Sequence, residues 1–395
     1  MNRKSFLILL LLVAVLGGAG LAMFWKDITQ YQESGAKIGA KLLPNLKAAD
    51  TAEIRIKDAK AEITLVSNKG SWSIKERGGY PADIAEVSEL LAKLVEAKIV
   101  QAETVGASLY PRLELIEPGK GEGSGTLLEL KDKAGKPITS LVFGKKLLKK
   151  DPGNPLPNAV DGVPAGRYVL ALGQQNVVVL GDPYANVEPK AGRFLAKQFI
   201  KIDRIKTLTM AGAGDRNWKI TRDEEYGQWK FAAGAGPLDP SAAVGAVNIL
   251  GKLEFSDVSA SGKPEDGENM VTLTADTFDG LTYTSKLAKQ KSGGDYLLNI
   301  VLSGAPNKTR PPEKGEKPEE AAKRDKEFAQ TVKMLEARAE FEKILGQWTY
   351  IVSAKNMEPV LKDRADMMAK PRKPEEKGGP AGGPPGMPPG MQFPR

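Results

Sequence analysis

Chemistry at neutral pH is most often carried by histidine, cysteine or paired carboxylates, and this 395-residue sequence has no His and no Cys. That removes the imidazole base, the thiolate nucleophile, every Ser-His-Asp or Cys-His arrangement and the thiolate zinc sites. What remains is acidic. Asp223-Glu224-Glu225 and Glu265-Asp266-Gly267-Glu268 are two carboxylate clusters, each in polar sequence between expected strands. They read as solvated loops. A loosely held calcium ion is the sharper reading, but neither cluster has the alternating ligands and closing Glu of an EF-hand. Gly121-Glu122-Gly123-Ser124-Gly125 and Gly212-Ala213-Gly214 match phosphate loops only in composition. No GxxxxGK[ST] occurs, so no nucleotide is expected through a P-loop, and hairpin turns account for both runs. Trp72, Trp218, Trp229 and Trp348 invite a carbohydrate-platform reading. Each has apolar neighbours two residues away, however, and at strand period that points them at the core or a sheet partner. The expectation is a chain with no catalytic constellation, no metal site and no cofactor.

The element that positions everything else comes first. Phe6 to Trp25 is an unbroken run of 20 uncharged residues, long enough as a helix to cross a bilayer core of about 30 Å. Phe6, Leu9, Leu12, Val15 and Leu21 supply its apolar surface, and Phe24 and Trp25 close it as interfacial aromatics. Arg3 and Lys4 precede it, so the positive-inside rule puts the N-terminus in the cytoplasm and the body outside. The competing reading is a cleaved signal, with Phe6 to Leu16 as its apolar region and Gly20-Leu21-Ala22 at the cleavage site. Both readings export the body. The expectation is a single-pass protein in contact with the lipid bilayer through residues 6–25. The net charge of +8 does not argue for nucleic acid: residues 1–26 and 370–395 carry +3 each, leaving +2 on the body.

After a connector at 27–49, the chain reads as α+β: short alternating strands with a helix packed on one face. Strands are expected around Ile54, Ile63 and Trp72, with Asn68-Lys69-Gly70 as a tight turn. A helix is expected from Asp83, an N-cap with Glu86 completing a capping box, and Ile84, Val87, Leu91 and Leu94 form its stripe. The same order then returns. Trp72 and Trp229 stand 157 residues apart, as do Ile74 and Phe231, while Asp83 and Asp239, and Leu94 and Leu250, stand 156 apart. Two tandem repeats are expected, 50–182 and 202–362, joined by a linker at 183–201. A helical insertion is expected at 319–345 in the second repeat, and 363–395 reads as a disordered tail rich in Pro, Gly and Met.

Several of these stretches together resemble a known family. They are the segment Leu42-Leu43-Pro44, the block GSWSIKERGGYPADIAEVSELLAKL at 70–94, the GRYVLAL strand at 166–172 and the repeated W-x-[IF] unit with its capped helix. The chain looks like a member of the domain of unknown function 4340 family, over roughly residues 38–362. Residues 109–118, LYPRLELIEP, keep Tyr110 and Pro118 but lack a glycine expected before the proline. The resemblance implies a protein of the bacterial inner membrane with a periplasmic body, associated with ABC transporter subunits of the gliding-motility type. It carries no catalytic residues over. The expected function is a non-enzymatic accessory or scaffolding protein. The alternatives are a cell-wall or glycan-binding protein and a carboxylate-dependent hydrolase, which needs two acids about 5–10 Å apart across a cleft.

Overall fold

A computed structural model of the chain describes residues 37–149, 163–174, 176–213, 216–312 and 315–370. The apolar run with Phe6, Leu9, Leu12, Val15, Leu21, Phe24 and Trp25 lies outside these residues, as does 371–395. Among the described residues no helix is long and apolar enough to cross a membrane.

The body is mixed α and β, with two antiparallel sheets and few helices. The first sheet is built from β1 (Glu53–Lys57), β2 (Glu62–Asn68), β3 (Ser71–Ile74), β4 (Tyr80–Pro81), β5 (Ile99–Thr104), β6 (Thr126–Lys131), β7 (Pro137–Lys149), β8 (Val163–Ala171) and β9 (Asn176–Leu180). Its spatial order is β4-β3-β2-β1-β6-β7-β8-β9-β5. The second contains β10 (Ile205–Ala211), β11 (Trp218–Thr221), β12 (Lys230–Phe231), β13 (Asp257–Val258), β14 (Glu268–Thr277), β15 (Leu281–Lys289), β16 (Tyr296–Gly304) and β17 (Tyr350–Val352). Its order is β12-β11-β10-β14-β15-β16-β17-β13. Matching β1 to β10 and continuing along the chain, the eight positions from β3 to β5 and from β12 to β13 coincide. Only β4 has no strand counterpart.

The reasons for these elements are local. Asn68-Lys69-Gly70-Ser71 turns with Lys69 and Gly70 both at positive φ (50° and 89°), the conformation a two-residue hairpin needs to match strand twist. In helix α1 (Ile84–Val95) the Asp83 carboxylate accepts from the Ala85 and Glu86 N–H groups at 2.9 and 3.4 Å. The capping box is not formed: the Glu86 side chain accepts from Arg193 Nε at 2.8 Å, and the Asp83 N–H goes to the Phe194 carbonyl. Val87, Leu90, Leu91 and Leu94 face the core, but Ile84 at the first turn is 58% exposed.

The later helices are α2 (Ala191–Phe194), α3 (Pro240–Leu250), α4 (Pro318–Leu345) and α5 (Ala354–Met357). In α3 the cap repeats: Asp239 accepts from Ser241 and Ala242, and its own N–H donates to the Met367 carbonyl. Both caps thus sit under a chain segment returning from the end of their own unit. The neighbouring bridges Ala82↔Leu195 and Leu238↔Met368 match as well. Residues 363–370, which composition assigns to the tail, form that second return, with Met367 fully buried. The end of the connector is likewise packed: Leu46 is buried, and Leu42 and Leu43 lie against the core.

Candidate functional site

The stretch at 183–201 reads as a linker in sequence, but its apolar side chains, Tyr184, Val187, Phe194, Leu195, Phe199 and Ile200 among them, are buried, while its lysines stay exposed. Phe194, Leu195, Phe199 and Ile200 lie in one apolar core that runs without a break from Leu46 to Met367. Aromatic rings make the junction. Tyr80 of the first sheet meets Tyr350 of the second sheet at 6.0 Å between centroids, and Phe255 and Trp348, which lie beside that sheet's strands, at 5.8 and 5.0 Å, all edge-on. Phe199 completes the cluster at 4.9 Å from Phe255 and 4.4 Å from Tyr350. Such pairs contribute about 0.5–1.5 kcal/mol each beyond burial itself. Two polar ties fix the rotation of one sheet on the other. Arg77 donates through Nε and Nη2 to both oxygens of Asp257 at 2.8 Å, and Trp348 Nε1 donates to the Gly78 carbonyl at 3.1 Å. That fork raises the Arg77 pKa through the Asp257 hydrogen bonds, against the opposing effect of burial. Burial pushes the Tyr80 hydroxyl up to about 12.

Helix α4, the expected insertion, clamps the same junction. Its side facing the body carries Val332, Ala339, Glu342 and Leu345, all buried, at helical spacing, while Ile344 is 57% exposed. Glu342 is the buried charge of this face. It accepts from Tyr283 Oη at 2.6 Å, from Arg338 Nε at 2.8 Å and, weakly, from the Lys201 N–H at 3.5 Å. Arg338 also donates to the Lys201 carbonyl and lies 3.6 Å from Asp203. Burial works against the Arg338 charge, but the Glu342 bond and nearby negative groups outweigh it and raise its pKa. Burial, then the Glu342 hydrogen bond, push the Tyr283 hydroxyl far above its ordinary value.

Around this clamp opens a cavity of about 660 Å³, lined in part by Lys197, Phe199, Lys201, Lys252, Arg338 and Glu342. The three lysines are exposed, and among the described residues no carboxylate lies within ion-pair distance of them. Lys197 Nζ stands 5.2 Å from the Phe255 ring centroid. The arrangement favours an anionic group. It offers no nucleophile beside a base, because its buried carboxylate is occupied by three donors.

The other residues singled out from sequence are scattered. In the first acidic cluster, Asp223 pairs with Lys230 at 2.6 Å and Glu225 with Arg204 at 2.8 Å. In the second, Glu265 pairs with Lys286 at 2.7 Å and the Asp266 carboxylate accepts from the Lys263 N–H at 2.9 Å. Among the described residues no group of three or more acidic side chains is placed to hold a metal. Gly123 and Gly125 are not simple turn residues. Gly123 lies flat against Pro111 of the 3-10 turn at Ala107–Leu113, and Gly125 against the Glu114 and Phe143 carbonyls, the latter 2.6 Å from where a Cβ would stand. Trp218 is buried and donates to the Lys362 carbonyl at 2.8 Å, Trp348 lies in the junction, and Trp72 and Trp229 are half-buried at the corresponding edges of the two sheets.

One charge escaped the sequence reading. Arg167 in the GRYVLAL strand is 5% exposed. It donates to the Gly144, Tyr184 and Phe143 carbonyls and to Thr126 Oγ1, at 2.9–3.4 Å, across the bulge in β7. Burial lowers its pKa to about 10, with Glu188 and Glu114 acting in the other direction. Comparison with family models, with curated proteins and with solved structures finds no match for this chain.

Proposed function

We propose that this protein is a non-enzymatic accessory or scaffolding arm of the bacterial cell envelope. In this reading residues 6–25 span the inner membrane, the body lies in the periplasm, and the partner is an ABC transporter complex of the gliding-motility type. The body is a tandem duplication. Support for the duplication comes from the shared order of eight strands and from the two caps, Asp83 and Asp239, each closed by a returning segment. The observation that carries the functional reading is the continuous core between the sheets. A chain built to bind through motion between two lobes has no need of a buried aromatic hinge, whereas a spacer that holds a partner at a fixed distance from the membrane does. The basic cavity at the junction, with Lys197, Lys201 and Lys252, is the contact assigned to an acidic segment of the partner.

Co-purification of the full chain in mild detergent tests this. Transporter subunits are expected in the pull-down and are expected to be lost when the three lysines are replaced together by Glu. A pull-down with no transporter subunit above background overturns the reading.

A further inference from the structure

The two sheets differ at one edge. In the first, the outer side of β3 is covered by β4, with Ser73 opposite Pro81 and Ile74 opposite Tyr80. In the second, β12 ends the sheet. The segment that corresponds to β4 is Gly236-Pro237, just before the Asp239 cap. It forms no strand pair with β12, although it keeps the return contacts of the first unit. Leu238 bridges Met368 as Ala82 bridges Leu195, and the Ala369 N–H donates to the Pro237 carbonyl at 3.0 Å as the Ala196 N–H does to the Pro81 carbonyl. The space left open is a cleft of about 540 Å³ lined by Trp229, Phe231, Pro237, Leu238, Pro240 and Val244.

Its walls are aromatic and fixed. The Arg222 guanidinium stacks on Trp229 at 4.7 Å from the ring centroid, and Arg364 stacks on Phe231 at 4.4 Å. Val244 is 46% exposed, and Tyr226, which precedes the lining residue Gly227, is 94% exposed. A groove of rings with proline and aliphatic walls suits a polyproline II strand, whose rings lie flat on aromatics and whose prolines, having no N–H, demand no acceptor from the groove.

The chain itself supplies such a segment at this place. Described residues end at Lys370, two positions beyond Met368, which bridges the cleft wall at Leu238. The 25 residues that follow include Pro384-Pro385-Gly386-Met387-Pro388-Pro389. We propose that this proline-rich segment docks in the cleft beside β12 of its own chain. The intervening residues 371–383 reach up to about 40 Å, more than enough to enter from Lys370. A tether of this length holds its end at an effective concentration in the millimolar range, so a weak interaction fills the cleft. The cleft is then an intramolecular ligand site for a proline-rich segment, and a competing proline-rich ligand would have to displace the chain's own.

The absence of cysteine makes the test direct. Spin labels are placed on the full chain in mild detergent through Ser241→Cys, at the exposed start of α3, and Gly390→Cys, just past the proline segment. A docked segment gives one narrow distance between the labels, unchanged on tenfold dilution with unlabelled chain. Replacing Pro384, Pro385, Pro388 and Pro389 together by Gly leaves the folded body untouched, and it should release the segment. So should Trp229→Ala. Both are expected to broaden the distribution to that of a free linker of 20 residues, roughly 25 Å r.m.s. from Lys370. A broad distribution in the unsubstituted tail overturns the proposal, as does a narrow peak that survives the four proline substitutions. A narrow peak lost on dilution also overturns it, since the segment would then occupy the cleft of a second copy.

Discussion

Truncating Glu342 to Ala should cost about 3–5 kcal/mol of folding stability. The carboxylate is 3% exposed, so none of its three hydrogen bonds is shared with solvent. Removing it strands the Tyr283 hydroxyl, an unsatisfied buried donor costing about 1–3 kcal/mol. Arg338 loses its nearest anion, but it keeps Asp203 and the Lys201 carbonyl and is about one-third exposed, so its share is nearer 1 kcal/mol. The deleted methylenes add a cavity worth about 1 kcal/mol. Thermal unfolding of the full chain, followed by tryptophan fluorescence, should then shift down by roughly 5–7 °C, since the whole body melts as one unit. The sharper assay is a cycle with Tyr283→Phe. Alone, that change should cost about 1–2 kcal/mol; in the Glu342→Ala background it should instead recover about 1–3 kcal/mol, because the hydroxyl it removes is then the unsatisfied group. Full additivity of the two substitutions, or a loss under about 1 kcal/mol for Glu342→Ala, would refute the clamp.

Alkaline pH should unfold the body steeply. Tyr80, Tyr184, Tyr283 and Tyr350 all have hydroxyl pKa values raised by burial above the ordinary 10.0, to about 12 for Tyr80 and higher for the others. Their contribution is complete below pH 10 and is lost as pH rises towards the folded values, at about 1.4 kcal/mol per unit for each. Urea midpoints at pH 9 and 11 measure this, and equal midpoints would contradict it. Asp83→Ala and Asp239→Ala should each cost about 1 kcal/mol, additively, in the same urea assay. Gly125→Ala should cost about 1–3 kcal/mol, because a Cβ there meets the Glu114 and Phe143 carbonyls, which belong to packed backbone. Its effect should be read first as faster amide exchange of Leu115 and Leu127, which lie in the small cluster on that face.

What the sequence made legible was whatever a few neighbouring residues decide. The turn at Asn68-Lys69-Gly70, the Asp83 and Asp239 caps and the alternation in β1 and β10 are of this kind. So is the inserted helix, in which Val332 and Ala339 of the stripe Phe328, Val332, Leu335 and Ala339 are buried, although of the residues at its end Leu345 is buried and Ile344 exposed. The misses come from partners far along the chain. Glu86 was spoken for by Arg193, 107 residues on. Ile84 sits on the apolar stripe by spacing, yet the first turn of α1 reaches past the core into solvent. The glycines at 123 and 125 answer to backbone at Pro111 and Glu114 rather than to a hairpin. Of the candidate site, Trp348 was visible only as a strand tryptophan. Tyr80, Phe199 and Phe255 carry no local signature of a junction, since their burial depends on one sheet meeting the other. The basic cavity was invisible for the same reason: Lys197, Lys252 and Arg338 come from three separate segments.

The unbroken core from Leu46 to Met367 also decides how the body comes apart. Two units joined by a loose tether would melt one after the other, each with its own midpoint. Here neither can open without exposing the rings of the other, so loss of one removes the apolar surface that keeps its neighbour folded. The unit of cooperative folding is therefore the pair. Either half expressed alone would display Tyr80 or Tyr350 and Phe255 to water and would be a substrate for quality control rather than a working module.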